Sequence, residues 1–399
     1  MTTPCLRALM ATLALALSAP VVSAQDRPVE FENWALPGWS FTPSIGLAGL
    51  WDSNVALAAN QAEGRSTESD RVFMMTPQGQ LDFRSPRTEF VAGYRGDIRR
   101  YVSVSALNEF DHRLYLSTRH RVTPRVDIFA RNEFADEATT DEIELNGIPF
   151  ARFGARTNRL AAGTAIRVTK LSDASVQYEN TWVSFDNQAN FFRGGVMHSV
   201  RGDYSRRLSE RTRVGAEYRV RQSKLNDNAR IIWFHDMGGT LEQALSPHVR
   251  LRLAAGYSVV RDPGAAGNRG GLYVKSDLAR RTEYATVGVG YERSYAPSFG
   301  FGGSSSSQEL RGYVYMPFTR SRFYVNASGM WRRTNPLLLE ELALDSFIVD
   351  TTAGYGLSRW LRFEAFHRFS RQDSRITGGE INRHRLGAQV VISQPMRIQ

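Results

Sequence analysis

Cysteine, lysine and long apolar runs are nearly missing from this chain. Its 399 residues include one cysteine, Cys5, and three lysines, Lys170, Lys224 and Lys275. A single cysteine excludes a disulfide scaffold, and no lipobox precedes Cys5 (Thr2-Thr3-Pro4), which argues against a lipid anchor there. After the first two dozen residues, no apolar run approaches the ~18–20 residues that a membrane-crossing helix needs. Mean hydropathy is −0.35, which also excludes a helical membrane protein. Aromatics at 11% exclude a disordered chain. His-Glu-x-x-His, Walker A, Gly-x-Ser-x-Gly and Cys-rich metal patterns are all lacking, so neither an enzyme, a cofactor nor a metal is expected.

What is abundant is arginine. Of 50 cationic residues all but the three lysines are Arg, and the formal net charge is +10. Excess positive charge admits nucleic acid, anionic lipid or an acidic polymer as partner, and the count alone does not choose.

Residues Met1–Ala24 read as a secretory signal peptide. Arg7 supplies the positive region, Leu6–Leu17 is rich in Ala and Leu, and Val22-Ser23-Ala24 is a small-residue cleavage site. The expected organisation is therefore 1–24 signal peptide, 25–39 periplasmic lead and 40–399 one domain. An exported chain is not expected to bind nucleic acid.

From Ser40 onward the hydrophobic period is 2. Val214, Ala216, Tyr218 and Val220 alternate with Arg213, Gly215, Glu217 and Arg219, and Val249–Val259 repeats the pattern with Arg250 and Arg252. Strand side chains alternate between faces, so each segment presents one apolar and one charged face. Connections alternate too. Short turns such as Ser85-Pro86-Arg87, Thr123-Pro124-Arg125 and Ser246-Pro247-His248 interleave with long polar stretches such as Asp52–Asp70, Ala135–Thr157 and Tyr295–Ser307. A soluble sandwich has no reason for such alternation, whereas a membrane barrel has one end of each kind.

The pattern predicts an all-β fold, a transmembrane antiparallel up-and-down β-barrel of about eighteen strands. The predicted spans are 40–51, 72–84, 88–98, 108–121, 126–134, 158–168, 174–184, 196–206, 212–221, 232–244, 249–260, 272–280, 284–293, 308–317, 322–332, 346–357, 360–370 and 381–392. Phe41, Trp51, Trp182, Phe323, Trp331, Tyr355 and Phe369 fall near strand ends on the apolar face, where an interfacial girdle belongs. His112, His120, His367 and His384 share that face and read as interfacial. Gly300–Ser307 reads as a mobile loop, and the acidic pairs Asp136-Glu137 and Asp141-Glu142 as solvated loop charges.

If the charged parity faces inward, the lumen receives Arg84, Arg95, Arg99, Arg113, Arg119, Arg131, Arg159, Arg167, Arg201, Arg213, Arg219, Arg221, Arg250, Arg252, Arg311, Arg332, Arg362, Arg368, Arg383 and Arg385, with fewer acids. Two readings stay open: cross-strand ion pairs bracing a wide barrel, and a basic passage selecting anions or an acidic polymer. At this strand number side chains alone cannot fill the interior, so a channel or a plug is expected.

Over Pro43–Leu116 the chain resembles the outer-membrane β-barrel porin 2 family, which includes barrels associated with exopolysaccharide export. The residues that carry the resemblance are Pro43-Ser44-Ile45-Gly46, Trp51-Asp52-Ser53-Asn54-Val55, Tyr94–Tyr101 and Phe110-Asp111-His112-Arg113-Leu114. The short turns and Arg-rich strands are similar over nearly all the remaining chain. The resemblance implies a Gram-negative outer-membrane location, lipid and lipopolysaccharide as neighbours, and transport of an extracellular polysaccharide with periplasmic export components. The ending Pro395-Met396-Arg397-Ile398-Gln399 departs from the terminal aromatic of many such barrels. A general diffusion porin for small anionic solutes is the alternative, and it calls for an inward-folded constriction loop, for which Ala135–Thr157 is the candidate. A barrel that binds partners through its surface loops is a third reading.

Overall fold

A computed structural model describes residues 38–59, 67–143, 148–186, 192–226, 231–263, 268–318, 322–337, 343–374 and 379–398. The signal-peptide segment and the lead up to residue 37 lie outside these. The strands are β1 (Gly38–Asp52), β2 (Asp70–Arg84), β3 (Thr88–Tyr101), β4 (Glu109–Thr123), β5 (Val126–Glu137), β6 (Ala155–Arg167), β7 (Ser172–Phe185), β8 (Gly195–Arg207) and β9 (Thr212–Leu225). They continue as β10 (Ile231–Ser246), β11 (Val249–Arg261), β12 (Arg269–Arg281), β13 (Thr286–Pro297), β14 (Ser304–Phe318), β15 (Phe323–Pro336), β16 (Leu344–Gly356), β17 (Leu361–Ser374) and β18 (Gly379–Ser393). A three-residue strand, β19 (Met396–Ile398), follows.

Each strand pairs antiparallel with the next, and β18 closes on β1 from Ser44↔Ser393 to Asp52↔Arg385. The result is a closed eighteen-stranded up-and-down barrel. Pro395 cannot donate to the ladder, so pairing breaks there and resumes in β19, where Met396 faces Phe41. Every predicted strand is present. The alternation stops short at the long-loop end, however: β9 runs to Leu225, β14 begins at Ser304 and β17 reaches Ser374. There both faces carry polar residues while the backbone ladder continues. Strands of 12–16 residues exceed the ~9–11 that cross an apolar slab, so the extra rungs project beyond it.

The exterior is apolar. Leu47, Leu114, Val176, Val200, Met237, Leu272 and Leu386 are exposed between two aromatic rings, one with Trp51, Phe73 and Phe110, the other with Trp39, Phe323 and Tyr355. The opposite parity is charged. This polarity is that of a barrel solvated by lipid and reverses that of a water-soluble one.

Two expectations fail. Ser304–Ser307 is ordered strand, paired with Pro297–Ser294. Gly300, Gly302 and Gly303 turn the hairpin with positive φ of 101°, 84° and 75°, and Phe299 beside them is buried. Polar composition hid an inward-folded hairpin. Glu137, Asp141 and Glu142, too, are not solvated: Glu137 is buried against Arg113, and the other two are described below.

Backbones approach closely at Gly256, which faces Gly238 on the inner wall. A Cβ on Gly256 would lie 1.9 Å from the Met237 carbonyl oxygen. Gly256→Val is therefore expected to cost about 1–3 kcal/mol, seen as a lower urea midpoint for loss of the compact, unheated gel band.

Candidate functional site in the barrel lumen

Register places the predicted arginines on inward-facing positions: Arg99 faces Glu109, Arg119 faces Glu89, Arg159 faces Glu133, Arg167 faces Asp173, Arg252 faces Asp277 and Arg368 faces Asp350. Arg201 faces Arg219, Arg213 faces Glu242, Arg131 faces Ser117 and Arg383 faces Ser370. Along the barrel axis they divide into two groups with different surroundings.

The first group lies toward the long-loop end, where the lumen is filled. The described parts of the β5–β6 connection, 138–143 and 148–154, fold into it. Thr140 holds the base of this loop: its amide donates to the Ala151 carbonyl at 3.0 Å, and its hydroxyl donates to the Pro149 carbonyl at 2.6 Å. A short 3-10 turn, Thr140–Glu142, then aims two carboxylates at the wall. Asp141 accepts from Arg383 at 2.9 Å, and Arg383 also grips Asp52 at 2.6 Å. Glu142 accepts from Arg99 at 3.0 Å, Arg113 at 2.8 Å and Arg385 at 2.5 Å. Arg368 donates to the Asp141 carbonyl at 3.4 Å. One loop thus bridges β3, β4, β17 and β18.

Apolar contacts continue the seal. Ile148 packs with Val183, Leu225, Ile232, Phe234, Val260, Tyr295 and Phe299, and Phe150 packs with Leu57, Ile348 and Ile381. The Phe150 amide donates to Gln372 Oε1 at 2.6 Å. Other hairpins join in: the Arg193 amide donates to the Gly300 carbonyl at 2.7 Å, linking the β7–β8 and β13–β14 connections. Beside the loop, between it and the β15–β17 wall, a cavity of about 20 Å³ remains, lined by Asp141, Ile148, Phe150, Met330 and Arg332 among others. That is room for about one water.

Several of these residues carried no sequence signal of function. Arg152 was one. It donates to the Val55 and Leu107 carbonyls at 2.8 Å each and to Glu109 at 2.7 Å, and stacks 5.0 Å over the Tyr101 ring. The signal that does exist is compositional: Ile143, Leu145, Ile148-Pro149-Phe150 and Phe153 are apolar residues in a loop that also carries Asp141 and Glu142, and apolar residues need a surface to bury on. The motif Asp52-Ser53-Asn54-Val55, which carries the family resemblance, has a structural part here. Asp52 holds Arg383, while the Asn54 side chain accepts from the Ala58 amide at 2.9 Å and donates to its carbonyl at 2.8 Å. This turns Val55, Leu57 and Ala59 into the mouth, where they are buried.

Asp111, Glu137 and Glu142 converge with oxygens within 4.8 Å of one another. Arg99 contacts Asp111 and Glu142, and Arg113 contacts Glu137 and Glu142, so guanidinium charge already lies among them.

The second group lies toward the short-turn end, where the interior is water-accessible. Here the guanidinium is the more exposed member of most pairs, Arg213–Asp173 being the reverse. Arg95 is 42% exposed against 3% for Asp97, and Arg119 is 57% exposed against 19% for Asp127. Arg201 is 39% exposed and Glu217 6%. Arg131 pairs with Glu133 at 3.4 Å, Arg213 with Asp173 at 2.9 Å, and Arg250 and Arg252 share Glu242 at 3.7 Å each. Higher up, Arg219 and Arg221 share Asp236 at 3.2 and 2.7 Å. The two readings of the arginine surplus therefore coexist in one geometry: ion pairs brace the wall while the longer side chain presents positive charge to the passage.

The histidines lie elsewhere. On the outer face the Tyr94 hydroxyl is 3.1 Å from His112 Nδ1, and those of Tyr178 and Tyr218 are 2.8 and 2.9 Å from His198 and His235. His367 and His384 stack on each other.

No family model matches the chain, and no curated protein matches it. Among solved structures, OccAB4 of Acinetobacter baumannii is similar at 8% identity, covering 91% of this chain and 99% of that one with a TM-score of 0.46. OccAB3 of the same organism is 12% identical, with 90% and 99% coverage and a TM-score of 0.45. The siderophore receptor PirA of Pseudomonas aeruginosa is 10% identical, with 90% and 81% coverage and a TM-score of 0.45. With TM-scores below 0.5 these likenesses bear no weight, and the barrel is defined by its own strand pairing.

Burial raises the pKa of both loop carboxyls, but Arg383 and Arg385 outweigh it at Asp141 and hold that group at about 2. Arg99, Arg385 and Arg113 likewise hold Glu142 well below the usual carboxylate range. A depressed folded pKa gives stabilisation that is complete above the unfolded value and lost as pH falls through the folded one. The loop should therefore resist pepsin at about pH 4 and yield only as pH falls through about 2. Asp141→Ala leaves Arg383 and Arg385 short of a buried partner, a cost of about 3–5 kcal/mol. In that variant, cleavage between residues 138 and 154 at about pH 4 is the expected result.

Proposed function

We propose that the protein is an outer-membrane channel for small anionic solutes whose passage is set by the inward-folded loop at 138–154. The observation that carries this reading is the salt-bridge lattice joining Asp141 and Glu142 to Arg99, Arg113, Arg383 and Arg385, which fixes the loop across the lumen. A loop clamped by buried charge suits a fixed constriction. Below it, exposed guanidiniums such as Arg119, Arg250 and Arg252 favour anions because they are charged at every physiological pH. Export through a signal peptide and an apolar exterior support the outer membrane as location, with the long loops facing outward.

Polysaccharide export is the second reading, favoured by the resemblance over Pro43–Leu116. It requires the loop to leave the lumen, and so a periplasmic partner or the polymer itself to break the lattice.

Ion conductance of the refolded barrel in planar bilayers under a salt gradient tests both. The small-solute reading expects low, steady, anion-selective conductance, raised in Asp141→Asn/Glu142→Gln and less anion-selective in Arg119→Ala/Arg250→Ala/Arg252→Ala. A wild type that is silent until the loop is removed, together with loss of surface polysaccharide on gene deletion, would move the assignment to export. Cation selectivity in the wild type would defeat the basic-lumen argument.

A further inference from the structure

Charge on the outer wall at the long-loop rim has no use in the channel reading, and a second function rests on it. On the exterior of β1–β3, Trp51 stands directly opposite Arg71, and Phe73 directly opposite Arg100. The Val102 amide donates to the Arg71 carbonyl at 3.1 Å, so Arg71 and Arg100 are diagonal neighbours on one face, roughly 7–8 Å apart at their backbones. Across the rim the pattern repeats: Trp233 faces Arg261, and Lys224 faces Ile231 one rung above. All four cations are exposed.

Their lack of partners sets them apart. Inside the barrel the arginines are braced by acids, and even on the outer rim Arg156 has Asp136 and Arg371 has Glu380. Arg71, Arg100, Lys224 and Arg261 form no ion pair among the described residues. Beside and just below them the wall is aromatic, with Phe73 52% and Phe110 47% exposed. Unmatched cations at the upper edge of an aromatic belt fit a ligand that is anionic at its head and apolar at its tail, with the head at headgroup level. A soluble polyanion would leave the belt unused.

We propose that this rim binds the phosphorylated glycolipid of the outer leaflet, with its phosphates on Arg71/Arg100 and on Arg261/Lys224 and its acyl chains along the aromatic belt. The proposal rests on the membrane orientation read above. Arginine suits phosphate through paired N–H donors, and two cations on one face can share one phosphate group.

The test titrates the full-length protein in detergent with bisphosphorylated lipid A, its dephosphorylated form, phosphatidylglycerol and inorganic phosphate. Binding is read by tryptophan emission, since Trp51 and Trp233 adjoin the cations. The expected order is bisphosphorylated lipid tightest, the dephosphorylated form and phosphatidylglycerol at least about tenfold weaker, and phosphate alone without effect. The quadruple variant Arg71→Gln/Arg100→Gln/Lys224→Gln/Arg261→Gln should weaken the first by about tenfold, while Arg206→Gln, exposed on the outer wall at the short-turn end, should not. Equal binding of the phosphorylated and dephosphorylated lipids, or of phosphatidylglycerol, or an unaffected quadruple variant, would overturn the proposal. Unheated gel migration checks that each variant is folded. Insertion into phospholipid vesicles without glycolipid separates the two levels: a wild type that inserts but does not discriminate sinks this proposal alone, and one that fails to insert sinks the membrane reading with it.

Discussion

Backbone hydrogen bonding in lipid is the constraint from which the architecture follows. Hydrocarbon offers no partner to an unpaired N–H or C=O, so a sheet can live there only as a ring. The β18–β1 ladder supplies that closure over nine residue pairs, and β19 extends it past Pro395. Closure also fixes which parity is wet. Once the apolar face of every strand is outside, more than a dozen arginines are forced into one interior, and the rest of the structure is the way in which that charge is managed.

It is managed in two ways along the same axis. Near the short turns water does the work: side chains are solvated, ion pairs are loose, and exposed guanidiniums outreach their shorter partners at the wall. Near the long loops water is displaced by protein, and every buried guanidinium must find a carboxylate. The wall supplies most of them, with Asp52 on Arg383, Glu109 and Asp111 on Arg99, and Glu137 on Arg113. Asp141 and Glu142 arrive on the β5–β6 loop to complete the set, and the apolar residues that follow, Ile148 and Phe150, fill the space between. The loop is thus held by charge at Asp141 and Glu142 and by burial at Ile148 and Phe150.

Removing one buried partner costs far more than a surface pair is worth, because the remaining charge has no water to turn to. A lattice of this kind holds the loop in one arrangement within the lumen. The first loop contributes to the same lattice: Asp52 holds Arg383, and Asn54 wraps its own turn, so the residues of the family resemblance act here on the mouth and its closure.

Strand number, strand parity and the alternation of short and long connections were determined by the sequence itself. Alternation of side chains across a strand is a local property, and lipid enforces it on every rung, so Thr212–Val220 or Val249–Val259 can be read without knowing their neighbours. The inward position of arginines such as Arg213 and Arg252 follows from the same rule. What the alternation could not give was the extension of β9, β14 and β17 beyond the apolar slab, where lipid no longer selects one face. Nor could it tell that Gly300–Ser307 and Asp141-Glu142 lie buried. Their composition is that of solvated loops, and their burial depends on partners far along the chain: Arg383 is 242 residues from Asp141. The sequence could offer Ala135–Thr157 as a candidate inward-folded loop, but only closure of the ring brings those two elements within reach, so only the tertiary structure decided which charges hold it.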